Sequence, residues 1–229
     1  MNQLAGPQIA AHELQSFSEA QDVALFAEYA RDSQYHLQDG NLIHATALIN
    51  WSVTKMGLGN VIGPFACIGQ PPQKIIKSGC GEIRIGNGNI LREYVSVTCP
   101  QAGGITRLGD QNYLMTATNI NHDCVLEDQV IIGSHSSIAG HCHIMKGCYV
   151  GMNAAVHQFS LLGSWALVGM GSTVIKKSRI FPGQKYAGSP VRALGLNQIG
   201  LERNGISHAQ LAAEKRRYLQ LAARPRATG

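Results

Sequence analysis

No stretch of about 18 apolar residues occurs in this sequence, so no membrane-spanning helix is expected. The opening Met1-Asn2-Gln3-Leu4 has no basic segment followed by an apolar one, which predicts no export signal and a cytoplasmic location. The six cysteines form no Cys-x-x-Cys pair and no Cys/His set with zinc spacing. They read as reduced packing residues rather than a disulfide framework. A net charge of +5 is too small and too scattered to predict a nucleic-acid partner, though it favours encounter with an acidic protein or a phosphorylated substrate. Aromatics are few, 6% of 229 residues, whereas glycine is frequent at 26. With abundant Ile, Leu and Val, that glycine points to tight turns repeated around an aliphatic interior.

The repeat is explicit. Every sixth residue from Leu108 is aliphatic: Leu108, Leu114, Ile120, Leu126, Ile132, Ile138, Ile144, Val150, Val156, Leu162, Val168, Val174 and Ile180. With about one residue in four being Ile, Leu or Val, chance would give this run with a probability on the order of 10⁻⁸. Two positions before each aliphatic sits a generally small residue, such as Thr106, Thr118, Cys124, Ser136, Cys142 and Ser172. The aliphatic fills the interior and the small residue fits where the chain bends, so six residues make one short strand and one corner. Three sides close a triangular coil of about 18 residues, and successive coils pair in parallel about 4.8 Å apart. The fold class predicted is an all-β solenoid with helical ends, a left-handed parallel β-helix of hexapeptide repeats. An amphipathic helix would need a period near 3.6, and a sandwich would need alternation broken by hairpin turns.

Before Leu108 the pattern is interrupted: Ile43 and Ile49, Ile62 and Ile68, then Ile85, Leu91 and Val97. The breaks at 70–81, with Pro71-Pro72, and at 99–104, with Pro100 and a double glycine, predict loops that stand away from the coil as cleft walls. Three segments follow. Residues 1–40 read as a helical extension, from Val23, Leu25, Phe26, Tyr29 and Ala30 with Ser18 near its start; residues 41–190 form the β-helix; residues 191–229 form a reduced helical segment. In the last, Ser207-x-x-Gln210 is a capping box that opens a helix to about Ala223. Lys215, Arg216 and Arg217 make that helix basic, fit either to dock an acidic carrier or simply to face solvent.

Residues 18 apart lie one above another, so columns can be assigned. His122 stacks under Gly140 and Gln158, Asp123 under His141, and Asn121 under Ala139 and His157. Three histidines thus climb one edge. Acyl transfer to a hydroxyl or amine needs a base, a donor for the oxyanion and a group that orients the base. His122 can take the proton, Asp123 can orient the imidazole, and Gly140, one coil away, can present its N–H. A merely polar or stacking edge is the plain alternative, but three histidines beside an acid and a glycine favour a site. His135 and His143 fall on other columns and read as surface residues. No metal is expected: zinc-binding β-helix carbonic anhydrases resemble a pattern with two histidines five apart, whereas Leu162 follows His157 at that distance.

The runs Asn121-His122-Asp123-Cys124, Ala139-Gly140-His141, Ala155-Val156-His157-Gln158-Phe159 and Gly200-Leu201-Glu202-Arg203-Asn204-Gly205 resemble the UDP-N-acetylglucosamine O-acyltransferases that begin lipid A synthesis. The similarity extends from about Ile43 to Ser207. It implies a homotrimer with sites between subunits, a phosphopantetheine-linked donor carried by an acyl carrier protein, no permanently bound cofactor, and His122 as general base. It further implies Gly140 as oxyanion donor, substrate contacts at His141, His157 and Gln158, and positions near the nucleotide at Asn197 and Arg203. Met170 falls where that family limits acyl length, implying a short to medium chain. The sequence departs from the family at Lys74, usually an aspartate, at Asn119, usually a histidine, and at Thr98-Cys99-Pro100, usually His-Arg-Gly. These departures bear on the acceptor, which the resemblance implies is a nucleotide sugar. Two other readings stay open: coenzyme A-dependent transfer to another amine or alcohol, and a noncatalytic β-helix that binds or scaffolds.

Overall fold

A computed structural model describes residues 28–73, 79–176 and 178–224. The six-residue period becomes two-residue strands separated by tight corners, and the strands assemble three parallel sheets that form the faces of a triangular prism. The first face contains Tyr113–Leu114, Ile131–Ile132 and Tyr149–Val150; the second contains Asn119–Ile120, Ser137–Ile138 and Ala155–Val156; the third contains Val125–Leu126, His143–Ile144 and Leu161–Leu162. Asn119 pairs with Ser137 and Ser137 with Ala155, an offset of 18 per coil. The chain is a left-handed parallel β-helix, as its period predicts.

All thirteen aliphatics of the repeat are buried, none more than 2% exposed. A prism only two residues wide per strand has little room for rings, so the repeat fills its interior with Ile, Leu and Val and its corners with small residues, and Tyr186 enters the core only at the end of the stack, in register with Val168. Cys124, Cys142 and Cys148 are among those corner residues, and burial pushes the Cys124 and Cys148 thiols well up, which makes them packing groups rather than nucleophiles. Glycines after the aliphatics allow coils to stack closely: a Cβ on Gly133 would stand 2.5 Å from the Met152 nitrogen of the next coil.

One internal feature is polar. Asn41, Asn60, Asn89 and Asn112 are buried at equivalent positions in successive coils. The Asn60 side chain donates to Asn41 Oδ1 at 2.8 Å and Asn89 donates to Asn60 Oδ1 at 2.8 Å. The Asn41, Asn60 and Asn89 amides thus bond in sequence at the coil spacing, as in stacked amide ladders generally, whereas Asn112 meets Asn89 through its backbone N–H and its Nδ2 is buried without a partner.

Between Leu108 and Thr173 each corner contains one residue with positive φ, among them Gln111, Ala117, Asp123, Gln129, His135, His141, Phe159 and Trp165 at 56–61°. The left-handed conformation is uncommon outside glycine and costs most for bulky residues, so Phe159 and Trp165 stand out in this column.

Both ends correct the sequence reading. The helices expected over residues 1–40 lie mostly outside the described residues, but Tyr35–Gln38 is a strand, paired antiparallel with Asn41–His44 through the turn Asp39-Gly40. Those turn residues have φ of 47° and 72°, which suits a two-residue hairpin, so Asp-Gly was the overlooked signal. In the C-terminal segment Arg192–Leu196 is a strand antiparallel to Gln184–Ala187. Helix follows only at α1, Gln198–Arg203, and α2, His208–Ala222. Ser207 and Gln210 make the expected reciprocal capping box at the start of α2. Among the described residues no helix is long and apolar enough to cross a membrane.

Candidate active site

The corner joining the second face to the third carries the site. Both interrupting loops leave the prism at this corner, since 71–81 precedes Glu82–Ile85 and 99–104 precedes Ile105–Leu108. Immediately above them come Asn121–Cys124, Ala139–Cys142 and His157–Ser160 in successive coils. The left-handed residue of each corner is Asp123, His141 and Phe159 in turn. Their side chains therefore form a column beside His122, Gly140 and Gln158.

His122 is buried and its Nδ1 lies 2.9 Å from Asp123 Oδ2. An ionised carboxylate only accepts, so Nδ1 donates, and in the neutral ring Nε2 carries the lone pair. No other protein group bonds Nε2 among the described residues. The Asp123 backbone N–H donates to Thr106 Oγ1 at 2.9 Å, anchoring the acid to the coil below. Above it, His141 Nε2 is 3.9 Å from Asp123 Oδ2. The His122 and His141 rings meet edge to face with centroids 5.0 Å apart, and His141 stacks on Phe159 at 4.5 Å with 4° between planes.

Gly140 lies against His122, and a Cβ there would fall 2.6 Å from imidazole Cε1. Its N–H has no protein acceptor among the described residues. At the same turn position elsewhere, the amides of Asp110 and Lys146 are capped by carboxylates of Asp128 and Glu127. The Gly140 amide is thus uncapped beside a buried imidazole. His157 Nδ1 donates to the carbonyl of Gln158 at 2.8 Å, and both residues are exposed on the same edge. Asp123, His141, Phe159, Ser160 and the α2 residues Leu221 and Ala222 help to line a cleft of about 320 Å³.

His122, Asp123 and His141 also place three potential metal donors within 4.8 Å of one another. The short His122–Asp123 hydrogen bond makes this first an oriented imidazole, the arrangement proton transfer needs.

Other sequence-derived positions lie elsewhere on the protomer. Asn119 is on the second face, in register with Ser96 and Ser137, and its Oδ1 is buried without a hydrogen-bond partner. Met170 is 71% exposed at the corner between the first and second faces. Asn197 is buried and donates to the Trp165 carbonyl at 3.0 Å, tying α1 to the corner between the third and first faces. With Arg203, Trp165, Tyr149 and Lys185 it lines a cleft of about 770 Å³. Lys74 lies outside the described residues. One chain thus unites His122, Asp123, Gly140, His141, His157 and Gln158, but not Met170, Asn197 or Arg203.

Several contacts were not foreseen. Phe159 stands 18 residues beyond His141, so the column rule could have found its stacking role. Glu127 accepts from Arg217 through both guanidinium nitrogens, at 2.6 and 2.8 Å, and lies 2.6 Å from His143 Nε2. Arg217 is therefore not a free docking charge, and His143 is not a plain surface residue; together they fasten α2 to the prism. Cys80 and Cys99 form a disulfide across the two loops, which corrects the expectation of reduced cysteines. Their 19-residue separation matches no spacing rule, because loop length rather than coil period brings them together.

No family model matches the chain. An acyl-[acyl-carrier-protein]–UDP-N-acetylglucosamine O-acyltransferase of Synechocystis sp. is 39% identical over 167 residues, 72% of this chain and 60% of that protein. The protein of the same name from Alkalilimnicola ehrlichii is 36% identical over 159 residues, 67% of this chain and 60% of the relative. The chain thus spans 60% of the length of these two curated relatives. Among solved structures, the UDP-N-acetylglucosamine acyltransferase of Bacteroides fragilis superposes with a TM-score of 0.71 and 30% identity, covering 81% of this chain and 72% of the other.

Proposed function

The chain belongs to the UDP-N-acetylglucosamine acyltransferase family, and from that premise we propose that it moves an acyl group from an acyl carrier protein thioester to a UDP-amino sugar. One observation carries the reading: a buried imidazole, held by a carboxylate, lies against a glycine whose amide is uncapped.

The chemistry follows from that geometry. The acceptor hydroxyl or amine gives its proton to His122 Nε2 as it attacks the thioester carbonyl carbon, and Asp123 stabilises the resulting imidazolium. The carbonyl oxygen becomes an oxyanion bonded by the Gly140 N–H, and the absent Cβ leaves space for the thioester. Collapse expels the phosphopantetheine thiolate, which takes the proton back from His122. His141, His157 and Gln158 line the same edge and contact the acceptor. Lys74 and Asn119 are proposed to tune its identity, since they are among the positions at which the sequence departs from the family it resembles.

Met170 limits the acyl chain in this reading, and Asn197 and Arg203 hold the nucleotide. These residues occupy different edges of the prism from His122, so they reach one substrate only if a neighbouring subunit brings its edge to this one. A homotrimer with sites between protomers meets that requirement. A cytoplasmic location goes with these substrates. Coenzyme A carries the same phosphopantetheine arm, so the donor is settled by offering both.

The test is mass spectrometry of products from a mixed nucleotide-sugar pool supplied with acyl carrier and coenzyme A thioesters. The expected result is one acylated UDP-amino sugar formed from the carrier donor. Product from coenzyme A alone would reassign the donor, and no acylated product from any combination would overturn the reading.

A further inference from the structure

We propose that the Cys80–Cys99 disulfide positions Asp123, and that its opening by thiol–disulfide exchange lowers turnover at His122; the catalytic half of this inference rests on the function proposed above. The observations concern the wall below the dyad. Cys99 is fully buried and starts the loop 99–104, while Cys80 is half-buried at the end of the loop 71–81. The cross-link is joined by the Gly81 N–H to the Pro100 carbonyl at 2.9 Å, the Glu82 N–H to the Gly104 carbonyl at 3.1 Å, and a bridge between Cys80 and Gln101.

This stitched pair of loops ends on Asp123. A Cβ on Gly104 would meet Asp123 Oδ1 directly, so the Gly104 backbone is packed against the carboxylate. Thr106, two residues on, accepts from the Asp123 N–H and donates to the Thr98 carbonyl at 3.2 Å, beside Cys99. The segment on either side of the buried sulfur therefore forms the support of Asp123, whose other oxygen orients His122. Displacing that support moves the carboxylate, and misplacement by about an ångström is enough to cost a large factor in rate.

The bond is also within reach of a small thiol. Cys80 lines an open cleft of about 540 Å³ together with Trp51, Gly81, Glu82, Gly103 and Gly104. A thiolate entering there attacks Cys80 Sγ, the sulfur–sulfur bond breaks, and Cys99 leaves as a thiolate that takes a proton. With a dithiol reductant, the second thiol attacks the mixed disulfide, closing the reductant's own disulfide and freeing the Cys80 thiol. Two electrons pass from the dithiol to the protein, and a small disulfide reverses the exchange.

The experiment compares the full chain as oxidised by a small disulfide with the same chain reduced by dithiothreitol, and with Cys80→Ser, which leaves buried Cys99 in place. The His122 ring is followed by NMR at one fixed pH through its ring and Nδ1–H resonances, assigned by their loss in His122→Ala, and turnover is measured in parallel. Reduction and Cys80→Ser are expected to shift those resonances and to weaken or broaden the Nδ1–H signal, because a displaced carboxylate no longer holds that proton. Turnover should fall about tenfold or more with KM little changed, and Cys80→Ser should no longer respond to dithiothreitol. Identical His122 resonances in the oxidised and reduced proteins overturn the proposal, as does finding both thiols free to alkylation after treatment with the disulfide. Shifted His122 resonances in a protein without transferase activity support the positioning of Asp123 and sink the proposed function instead.

Discussion

The His122 imidazole occupies the space that a Gly140 side chain would fill, 2.6 Å from Cε1 to the position of an added Cβ. Imidazole and uncapped amide are therefore held at contact by adjacent coils rather than by flexible loops, and neither can shift without disturbing the stack.

Gly140→Ala should consequently be an activity variant rather than a folding variant. Gly140 does not have positive φ, so only the clash with the ring opposes the methyl group. We expect kcat to drop about 10²-fold with the circular dichroism spectrum preserved. Near-normal kcat would show that the ring and the amide do not act together.

His122→Ala removes the proposed base and Asp123→Asn the carboxylate that accepts from its Nδ1. Loss of general-base catalysis is worth about 10²- to 10⁴-fold, so turnover should fall by that order in each. Steady-state assays at saturating donor and acceptor check both. An Asp123→Asn enzyme with full activity would exclude the orienting role.

Phe159→Leu should separate positioning from chemistry. The stacked contact with His141 is worth about 1 kcal/mol, so its loss should raise the acceptor KM by up to about fivefold while kcat changes little. A large fall in kcat at constant KM would instead place His141 in the chemical step.

The fastening of α2 should be acid-sensitive. Burial tends to raise the Glu127 pKa, but its contacts with His143 and Arg217 outweigh this and bring it down to about 2. A group depressed in the folded state contributes stability above its ordinary value near 4.5 and loses it as the pH falls towards about 2. Trp165 packs against Leu201 and Leu211, so its fluorescence, read in a Trp51→Phe background, should report release of the C-terminal helices in that window. Glu127→Gln should loosen the helix at neutral pH by about 1–2 kcal/mol, a modest value because Arg217 is partly solvated. An unchanged acid transition in this variant would dismiss the mechanism.

The interior should show little tolerance. Ile138 is fully buried, one coil above Ile120 and one below Val156. Ile138→Ala should cost about 2–5 kcal/mol, visible as a lower midpoint in urea. A shift well below that range would mean that the coils above and below close over the cavity.

Much of this molecule could be read without coordinates because its fold is one-dimensional. A strict period of six makes neighbours of residues 18 apart, so the column of Asp123 and His141, the contact of His122 with Gly140 and the buried aliphatic file all follow from counting. The capping box at Ser207 is equally local, since its two partners are three residues apart. Counting fails where the chain leaves the period. Cys80 meets Cys99, and Gly104 meets Asp123, because two loops of unrelated length leave the prism at the same corner. Arg217 reaches Glu127 because the route between α1 and α2 folds a helix back onto the third face. Local sequence determined the coil and the candidate dyad; the cross-link beneath it and the helix clasp beside it were decided only by tertiary structure, since no repeat encodes where an insertion will land.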